Sequence, residues 1–269
     1  MPINTSGPLE KKDVSFLYGG DIVLEFAKTG HRYKVFHKGV PKLGTKGVTT
    51  VIGIIYKPEL LAWTARMTNE AWVSGLTSGP VDELTIVRLA KEAPLAWRNK
   101  RDSAGDLGTL IHAWIESYIN GKVKGDRLPG TPVNQTIQIA AQKFVAWEKE
   151  NVAKFIASEK KLYSLKHNIA GTCDFIYVNK KGELSIGDIK TSKGIYETFA
   201  IQLAAYKYML TEEMKYTDPN ATLIYKNMTI VRVGKDDGEI EVKEISDYKK
   251  HVMSFLACVI LHNNLRSKN

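Results

Sequence analysis

The sequence predicts an α/β or α+β fold in which a central mixed β-sheet is flanked by helices. Apolar segments of strand length follow one another between residues 156 and 190, and turn residues separate two of them at Asn179-Lys180-Lys181-Gly182. Segments with the apolar spacing of helices precede and follow these strands. A chain of 269 residues that is 43% hydrophobic can bury one substantial core with an appended subdomain.

The first part of the chain is expected to be rich in strands and then helical. Short strands are predicted within residues 22–56, and helices within residues 58–78 and 81–99. We therefore divide the chain into an N-terminal region, residues 1–104, that packs on the core, and a core of residues 105–269.

The core is expected to combine helices with strands. A loop at residues 101–106 leads into a helix that ends at Asn120-Gly121. The elements predicted after it are a helix near 133–152, strands near 156–166, 169–178 and 183–190, a helix near 195–213, strands near 222–233 and 239–244, and a final helix near 246–264.

The composition favours an anionic partner without identifying it. The chain has 38 basic and 29 acidic residues, a net charge of +9 and a pI near 9.3. Its two cysteines provide no disulfide framework, which indicates a reducing compartment such as the cytoplasm. No apolar run approaches the roughly 18 residues that span a bilayer, so no membrane partner is expected. The first residues, Met1 to Pro8, lack the features of a secretory signal and are expected to form a flexible tail.

Two short segments carry the chemistry. Gly171-Thr172-Cys173-Asp174 and Asp188-Ile189-Lys190-Thr191 are predicted to lie on the two strands of one hairpin, which sets Asp174 opposite Asp188. Residues two apart on a strand point the same way, so Lys190 shares a face with Asp188. Two close carboxylates with a lysine beside them are typical of a site for a hard divalent cation.

A second copy of the Asp-x-Lys pattern serves as a control. Asp247-Tyr248-Lys249 follows no apolar strand and has no partner carboxylate. It lies where a helix is expected to begin, so Ser246 or Asp247 is interpreted as an N-cap.

A helix before the hairpin offers a further ligand. His112 and Glu116 are four residues apart and share one helical face, and Gly108, one turn earlier, leaves room for another group. The pattern fits a histidine of a functional site, and it also fits a core histidine that is hydrogen-bonded to Glu116.

The helix after the hairpin carries Gln202 and Tyr206, again four residues apart. Both can contact a substrate or orient Lys190. Packing of Tyr206 in the core, with Gln202 in solvent, is the alternative.

The order of these segments resembles the RecB-like branch of the PD-(D/E)XK nuclease superfamily. The matching motifs are Gly108…His112, Gly171…Asp174, Asp188-Ile189-Lys190-Thr191 and Gln202…Tyr206. The resemblance covers roughly residues 105–214 and implies a restriction-endonuclease-like core and a nuclease. No single motif is specific, whereas their order is.

The resemblance also implies roles for the residues. A Mg²⁺ or Mn²⁺ ion would be held by Asp174, Asp188, the backbone carbonyl of Ile189 and His112, and Lys190 would act on the attacking water. Glu116, Glu159 and Thr191 would lie around these ligands, and Gln202 and Tyr206 would complete the site.

Departures from the family limit the cofactors. Cys173 stands where the superfamily's proline is expected, and this difference changes none of the expected metal ligands. Some relatives hold an iron–sulfur cluster on four cysteines, and two cysteines exclude such a cluster here. The chain has no phosphate-binding loop of the Gly-x-x-x-x-Gly-Lys-Ser/Thr type, so no nucleotide cofactor is expected.

A looser similarity concerns the N-terminal region. The segment Val48-Thr49-Thr50-Val51-Ile52, with Lys57-Pro58 and Trp63, is similar to phage-type and mitochondrial single-strand exonucleases of this branch. This similarity implies that the partner is single-stranded DNA. It also implies a phage-encoded or organellar setting as an alternative to the cytoplasm. The aromatic and basic residues expected to contact the single-stranded DNA are Trp63, Arg66, Arg98 and Arg101.

Other functions remain open from the sequence. One is a nucleic-acid-binding or architectural protein without turnover, and another is an endonuclease of the same superfamily. A third is a metal-dependent phosphoryl hydrolase with a small substrate, which the basic charge disfavours.

Overall fold

The computed structural model of the protein describes residues 13–27, 29–55, 58–222, 224–235 and 237–266, with the backbone alone described at 58, 99–106 and 266. The tail predicted at Met1 to Pro8 lies outside these ranges. The elements in chain order are the strands β1 (Asp13–Leu17), β2 (Ile22–Ala27), β3 (Arg32–His37), β4 (Val40–Lys42) and β5 (Lys46–Gly47), the helices α1 (Val48–Ile52), α2 (Pro58–Thr77), α3 (Glu83–Glu92), α4 (Ala96–Lys124) and α5 (Gln135–Asn151), the strands β6 (Val152–Ser164), β7 (Ile169–Asn179) and β8 (Leu184–Lys190), the helix α6 (Glu197–Thr217), the strands β9 (Asn227–Val233) and β10 (Ile240–Glu244), and the helix α7 (Tyr248–Arg266).

A six-stranded mixed sheet forms the centre of the molecule. Strand β7 pairs with β6 along one edge and with β8 along the other, both antiparallel, while β8 pairs with β9 in parallel and β9 with β10 antiparallel. Short β5 also pairs with β7, in parallel, at Ile169 and Ala170. The predicted mixed sheet and the predicted hairpin, formed by β7 and β8, are confirmed.

Helices cover both faces of this sheet, as predicted. On one face α1, α6 and α7 bury a cluster that includes Ile176, Ile186 and Met228. On the other face α4 and α5 pack over Phe155, Phe175 and their neighbours. Three helices begin at a residue whose side chain caps them. Asp82, Asn134 and Asp247 accept backbone N–H groups of the first turns of α3, α5 and α7. The interpretation of Asp247 as an N-cap is therefore confirmed.

A separate four-stranded antiparallel sheet, β1 to β4, lies against the end of the central sheet. Its buried residues pack on Tyr163 of β6 and Ala170 of β7. The Tyr18 hydroxyl donates to the backbone carbonyl of Tyr163 at 2.7 Å, and Tyr33 and Thr172 are joined by a hydroxyl–hydroxyl hydrogen bond of 3.1 Å. Strand β1 was not predicted.

Helix α4 corrects two predictions. Residues 101–106, predicted as a loop, continue the helix, which also passes Asn120-Gly121 and ends at Lys124 before the left-handed Gly125. At 29 residues α4 is about 44 Å long and packs on α2, α5 and β6, so tertiary contacts outweigh the low helix propensity of Ser103 and Gly105. The boundary proposed between residues 104 and 105 falls inside it. Within the described ranges no helix is long and apolar enough to cross a membrane.

The β-branched segment at residues 48–52 corrects a third prediction. It was expected to be a strand and forms α1. Val48, Val51 and Ile52 are three and four residues apart, so the helix turns all three into the core against α6 and α7. This burial overrides the strand propensity of the individual residues.

We predict that Gly187→Ala destabilises the central sheet. A Cβ at Gly187 would lie 2.0 Å from Cζ of the buried Phe175, so the ring has to move. Overpacking of this kind lowers the free energy of unfolding by about 1–3 kcal/mol, which denaturant titration measures. Gly194→Ala, where a Cβ meets nothing within 4 Å, is the control. Equal stability of the two variants would contradict the prediction.

Candidate active site

The two carboxylates predicted to face each other lie where β7 and β8 separate. The last registered pair is Phe175 with Gly187, and continuing this register by one residue sets Asp174 opposite Asp188. Beyond this point β8 keeps its pairing with β9 as far as Lys190, while β7 keeps its pairing with β6. The separation opens a space at the carboxylates that side chains from neighbouring elements enter.

Asp174 is held by two donors from different elements. Its Oδ2 accepts the backbone N–H of Ile189 at 2.7 Å and lies 3.2 Å from Nε2 of His112 on α4. Burial opposes ionisation, but the hydrogen bond and charge of His112, aided by Lys190, outweigh it and lower the pKa of Asp174. Burial likewise opposes a charged imidazolium, and Asp174 reverses that effect and raises the pKa of His112 to about 9.

His112 therefore faces the carboxylates. Its side chain is 31% exposed, and among the described residues its hydrogen-bond partner is Asp174. Glu116 lies one turn further along α4 and contributes to the raised pKa of Glu159 through its charge. The pairing of His112 with Glu116 that the sequence also allowed is not found among these residues.

Asp188 and Lys190 form a buried ion pair. The Lys190 ammonium lies 2.5 Å from Oδ2 of Asp188, which is 1% exposed, although the angles are not those of a hydrogen bond. Burial raises the pKa of Asp188 to about 6, against the opposing charge of Lys190. For Lys190, the attraction of Asp188 and Asp174 exceeds the effect of burial, and its pKa is raised. Lys190 is therefore protonated at neutral pH, and its ion pair with Asp188 holds the ammonium group in place.

Glu159 on β6 lies in one cluster with Asp174 and His112. One ligand atom each from His112, Glu159 and Asp174 lie within 4.8 Å of one another. Glu159 has a left-handed backbone with φ of 51°, while its neighbours Ser158 and Lys160 stay in register with β7. Burial, followed by the charge of Asp174, raises its pKa to about 7. A non-glycine residue in this conformation needs support from its surroundings.

That support comes from Lys161, which the sequence analysis did not single out. Its side chain is 3% exposed, and its ammonium lies 3.2 Å from the Glu159 carbonyl oxygen and 3.7 Å from Oε2 of Glu159. The same ammonium lies 3.3 Å from Asp13 and 4.8 Å from the ring centre of Phe26, both in the N-terminal sheet. Glu159 and Lys161 repeat the i, i+2 relation of Asp188 and Lys190, and this repetition is the signal that could have identified Lys161.

Gln202 and Tyr206 approach the site from α6. Both are buried, and Nε2 of Gln202 donates to the Tyr206 hydroxyl at 2.7 Å. A Cβ at Gly171 would lie 2.7 Å from the Tyr206 ring, so the glycine of the Gly-x-x-Asp segment is required by this close approach. The Asp188 and Asp174 charges add to burial in raising the pKa of Tyr206 far above its usual value.

Gly108 has a similar role on α4. A Cβ there would lie 2.5 Å from Oγ1 of Thr191 and 3.0 Å from Cε of Lys235. The glycine one turn before His112 thus leaves room for other groups, as predicted. The sequence analysis identified Thr191 but not Lys235, which lies in the turn between β9 and β10, far away along the chain.

The residues predicted to bind nucleic acid lie apart from this cluster. Trp63 and the exposed Arg66 are on α2, where Arg66 lies 3.7 Å from Glu70. The exposed Arg98 begins α4, and its guanidinium lies 5.6 Å from the ring centre of Trp97. The side chain of Arg101 lies outside the described residues. None of the described contacts joins Trp63, Arg66 or Arg98 to the carboxylates.

The donor set fits a divalent cation. Carboxylate oxygens with one imidazole nitrogen are ligands for Mg²⁺ and Mn²⁺, and the nitrogen favours Mn²⁺. Burial, followed by the charge of Asp174, raises the pKa of Glu159 to about 7, so a proton or another cation at this carboxylate offsets the cost of burying its charge. The arrangement can therefore bind a metal beside a lysine that donates hydrogen bonds, which suits hydrolysis of a phosphate ester.

Comparison with protein families agrees with this chemistry. The model of the PD-(D/E)XK nuclease superfamily matches residues 87–257, well over half of the chain. The chain belongs to this superfamily. Membership implies a nuclease that acts on DNA with the help of a divalent metal, and the match includes α4, the hairpin and α6.

Other comparisons add little to the superfamily assignment. Among 25 matching chains of known structure is one described as the crystal structure of SSO0001. It is 20% identical, with 82% of this chain and 78% of that chain covered and a TM-score of 0.33. No curated protein matches the chain.

We predict that the affinity for Mn²⁺ rises with pH between about 6 and 9. Glu159 and His112 have pKa values of about 7 and about 9, and each must lose its proton to bind a cation. Calorimetric titration should show the logarithm of the association constant rising by about two per pH unit below pH 7 and about one above it. In Glu159→Gln the logarithm of the association constant should rise by about one per pH unit below pH 7, where the wild-type chain shows about two. An affinity that is independent of pH would contradict this view of the cluster.

Proposed function

We propose that this member of the PD-(D/E)XK superfamily is a Mg²⁺- or Mn²⁺-dependent deoxyribonuclease of the RecB-like branch that degrades single-stranded DNA from a free end. The observation that carries the proposal is the meeting of His112, Glu159 and Asp174 next to the ion pair of Asp188 and Lys190. A carboxylate cluster of this kind serves catalysis at a phosphate better than it serves binding alone.

The metal-holding residues in this proposal come from four elements. Asp174 and Asp188 lie at the separating strands and His112 comes from α4, and with the carbonyl of Ile189 they are the set proposed from the family resemblance. Glu159 on β6 was expected around these ligands, and we add it to the set because it lies in one cluster with His112 and Asp174. When bound, a divalent cation supplies positive charge at the phosphoryl oxygens and lowers the pKa of a nearby water. The carboxylates then need no compensating proton, which releases the one that Glu159 holds near neutral pH.

Lys190 is proposed to act on the attacking water and on the negative charge that develops during the reaction. Its ammonium is kept protonated by Asp188 and Asp174, and it lies in the same space as the carboxylates. We infer that it orients the attacking water through a hydrogen bond and stabilises negative charge as it develops on the phosphoryl oxygens. Cleavage of the bond to the 3′ oxygen leaves a 5′-phosphate end.

Gln202 and Tyr206 act as positioning residues. They are buried and bonded to each other, and Tyr206 packs where Gly171 has no side chain. We infer that they fix the segment from Gly171 to Asp174, and with it the carboxylate of Asp174. In the same proposal Glu116 acts on the site through its charge near Glu159.

The preference for a single strand is supported by the helices before the core. Helix α2 packs on α4, the helix that carries His112, and presents Trp63 and Arg66 to the surface. Aromatic rings stack on unpaired bases, at about 1–3 kcal/mol per base, and arginines follow the backbone. A flexible strand can pass such a helical cover more readily than a stiff duplex. We propose Arg98 and Arg101 for the same surface.

A binding protein without turnover is less consistent with the cluster. Closely placed carboxylates repel the phosphates of DNA, so a protein that only binds gains nothing from Asp174, Asp188 and Glu159 in one place. A metal-dependent hydrolase of small phosphate esters fits the cluster but leaves the net charge of +9 without a role.

We predict that Asp174→Asn and Asp188→Asn each lower DNA cleavage more than about 100-fold. Each variant removes a charge that holds the metal, and the metal supplies several kcal/mol of stabilisation. End-labelled single-stranded DNA with Mn²⁺, Mg²⁺ or EDTA provides the measurement. Asp247→Asn, in the second Asp-x-Lys copy, is the matched control, because asparagine caps a helix as well as aspartate does. Near-normal cleavage by either of the first two variants would sink the assignment.

We predict that linear single-stranded DNA is degraded much faster than a circle of the same sequence. A strand that must enter beneath a helical cover needs a free end, and a blunt duplex should be a poor substrate for the same reason. Loss of the linear and circular forms is followed on one gel over time. Equal rates on both forms would refute the need for an end and leave an endonuclease, whereas faster loss of a duplex would refute the preference for a single strand.

A further inference from the structure

The hairpin between β9 and β10 brings a lysine close to α4 beside Thr191. Lys235 lies in the turn of this hairpin, and its Cε lies 3.0 Å from the position of a Cβ at Gly108. Oγ1 of Thr191 lies 2.5 Å from the same position. The lysine stem and the Thr191 hydroxyl are therefore neighbours, next to Lys190 and one helical turn from His112.

The hairpin turn is anchored, so the position of Lys235 is fixed by structure around it. Gly234 donates its backbone N–H to the carbonyl of Glu239 at 2.8 Å, and Gly238 donates to the carbonyl of Gly234 at 2.9 Å. Gly238 lies close against α5, where a Cβ would lie 2.8 Å from a backbone oxygen, and Glu239 forms an ion pair with Lys143 of α5. The turn thus contacts α5 through Gly238 and Glu239, and Lys235 itself contacts α4.

The charge of Lys235 has no counter-ion among the described residues. Three other cations near the site are paired: Lys190 with Asp188, Arg232 with Glu241, and Lys161 with Asp13 and Glu159. Lys235 is part-buried, with its stem packed on α4. A cation that is held in place and faces no carboxylate of the described chain is suited to an anionic ligand.

We propose that Lys235 binds a backbone phosphate of the nucleic acid, next to the phosphate that is cut. The inference rests on the proposed function, and it extends the substrate-binding surface from Thr191 to the β9–β10 turn. It also offers a functional explanation for glycine at position 108, because any side chain there would push Lys235 away from Thr191. The contact positions the strand, is independent of base identity, and adds one ionic contact to the interface.

The experiment measures binding of a fluorescein-labelled single-stranded oligonucleotide by anisotropy in EDTA, with Asp174→Asn as the background so that no strand is cut. Adding Lys235→Gln should raise Kd about 5- to 10-fold and lower the slope of log Kd against log salt by about 0.7, the value for one phosphate contact on a single strand. Lys235→Arg should retain most of the affinity. Lys181→Gln, in the β7–β8 turn at the far end of the hairpin, removes the same charge and should change neither quantity.

The outcomes separate this inference from the proposed function. If the wild-type chain cleaves DNA with Mn²⁺ and Lys235→Gln has the affinity and salt slope of Lys181→Gln, the role of Lys235 is refuted while the nuclease stands. If the wild-type chain cleaves no DNA, the proposed function fails first. Thermal unfolding of Lys235→Gln should match that of Lys181→Gln, and a lower midpoint together with an unchanged salt slope would assign Lys235 to the fold.

Discussion

Repulsion between carboxylates at the end of the hairpin is the constraint on which the site depends. Two carboxylates about 5 Å apart repel each other by about 3 kcal/mol at an effective dielectric constant near 20. Asp174 and Asp188 stand opposite each other, and Glu159 lies within 4.8 Å of Asp174. A fold that brings these groups together has to supply positive charge from elsewhere in the chain, and most of the surrounding architecture provides it.

Each carboxylate has its own cation, and the three cations come from different elements. His112 on α4 faces Asp174, Lys190 on β8 faces Asp188, and Lys161 on β6 faces Glu159. These cations do not offset the full cost of burial, because burial keeps the pKa of Glu159 near 7 and that of Asp188 near 6. Carboxylates that hold protons near neutral pH can exchange them for a metal ion, so the cluster is suited to a cation and is more than a set of closed salt bridges. Binding of a cation therefore replaces protons that the folded chain holds near neutral pH.

The sequence predicted the parts of this arrangement that local rules determine. The turn at 179–182 and the two-residue period of a strand were enough to place Asp174, Asp188 and Lys190. It did not predict the continuation of α4 through residues 101–106 or the helix at 48–52, because in both places packing on distant elements outweighs local propensity. Lys235 could not be found for a related reason. Its place beside Thr191 depends on how closely a hairpin tip approaches Gly108, and no spacing along the chain encodes that distance.

The N-terminal sheet has a part in the site that its place in the chain does not suggest. Tyr33 is hydrogen-bonded to Thr172, within the Gly-x-x-Asp segment, and Asp13 and Phe26 surround the ammonium of Lys161. Through Lys161 these contacts extend to the left-handed backbone of Glu159. The first strands thus support the surroundings of Glu159 and Asp174, two residues of the cluster that could hold a metal. Since α4 itself runs across residue 104, the region before that residue and the core act on the site together, and the active site belongs to both.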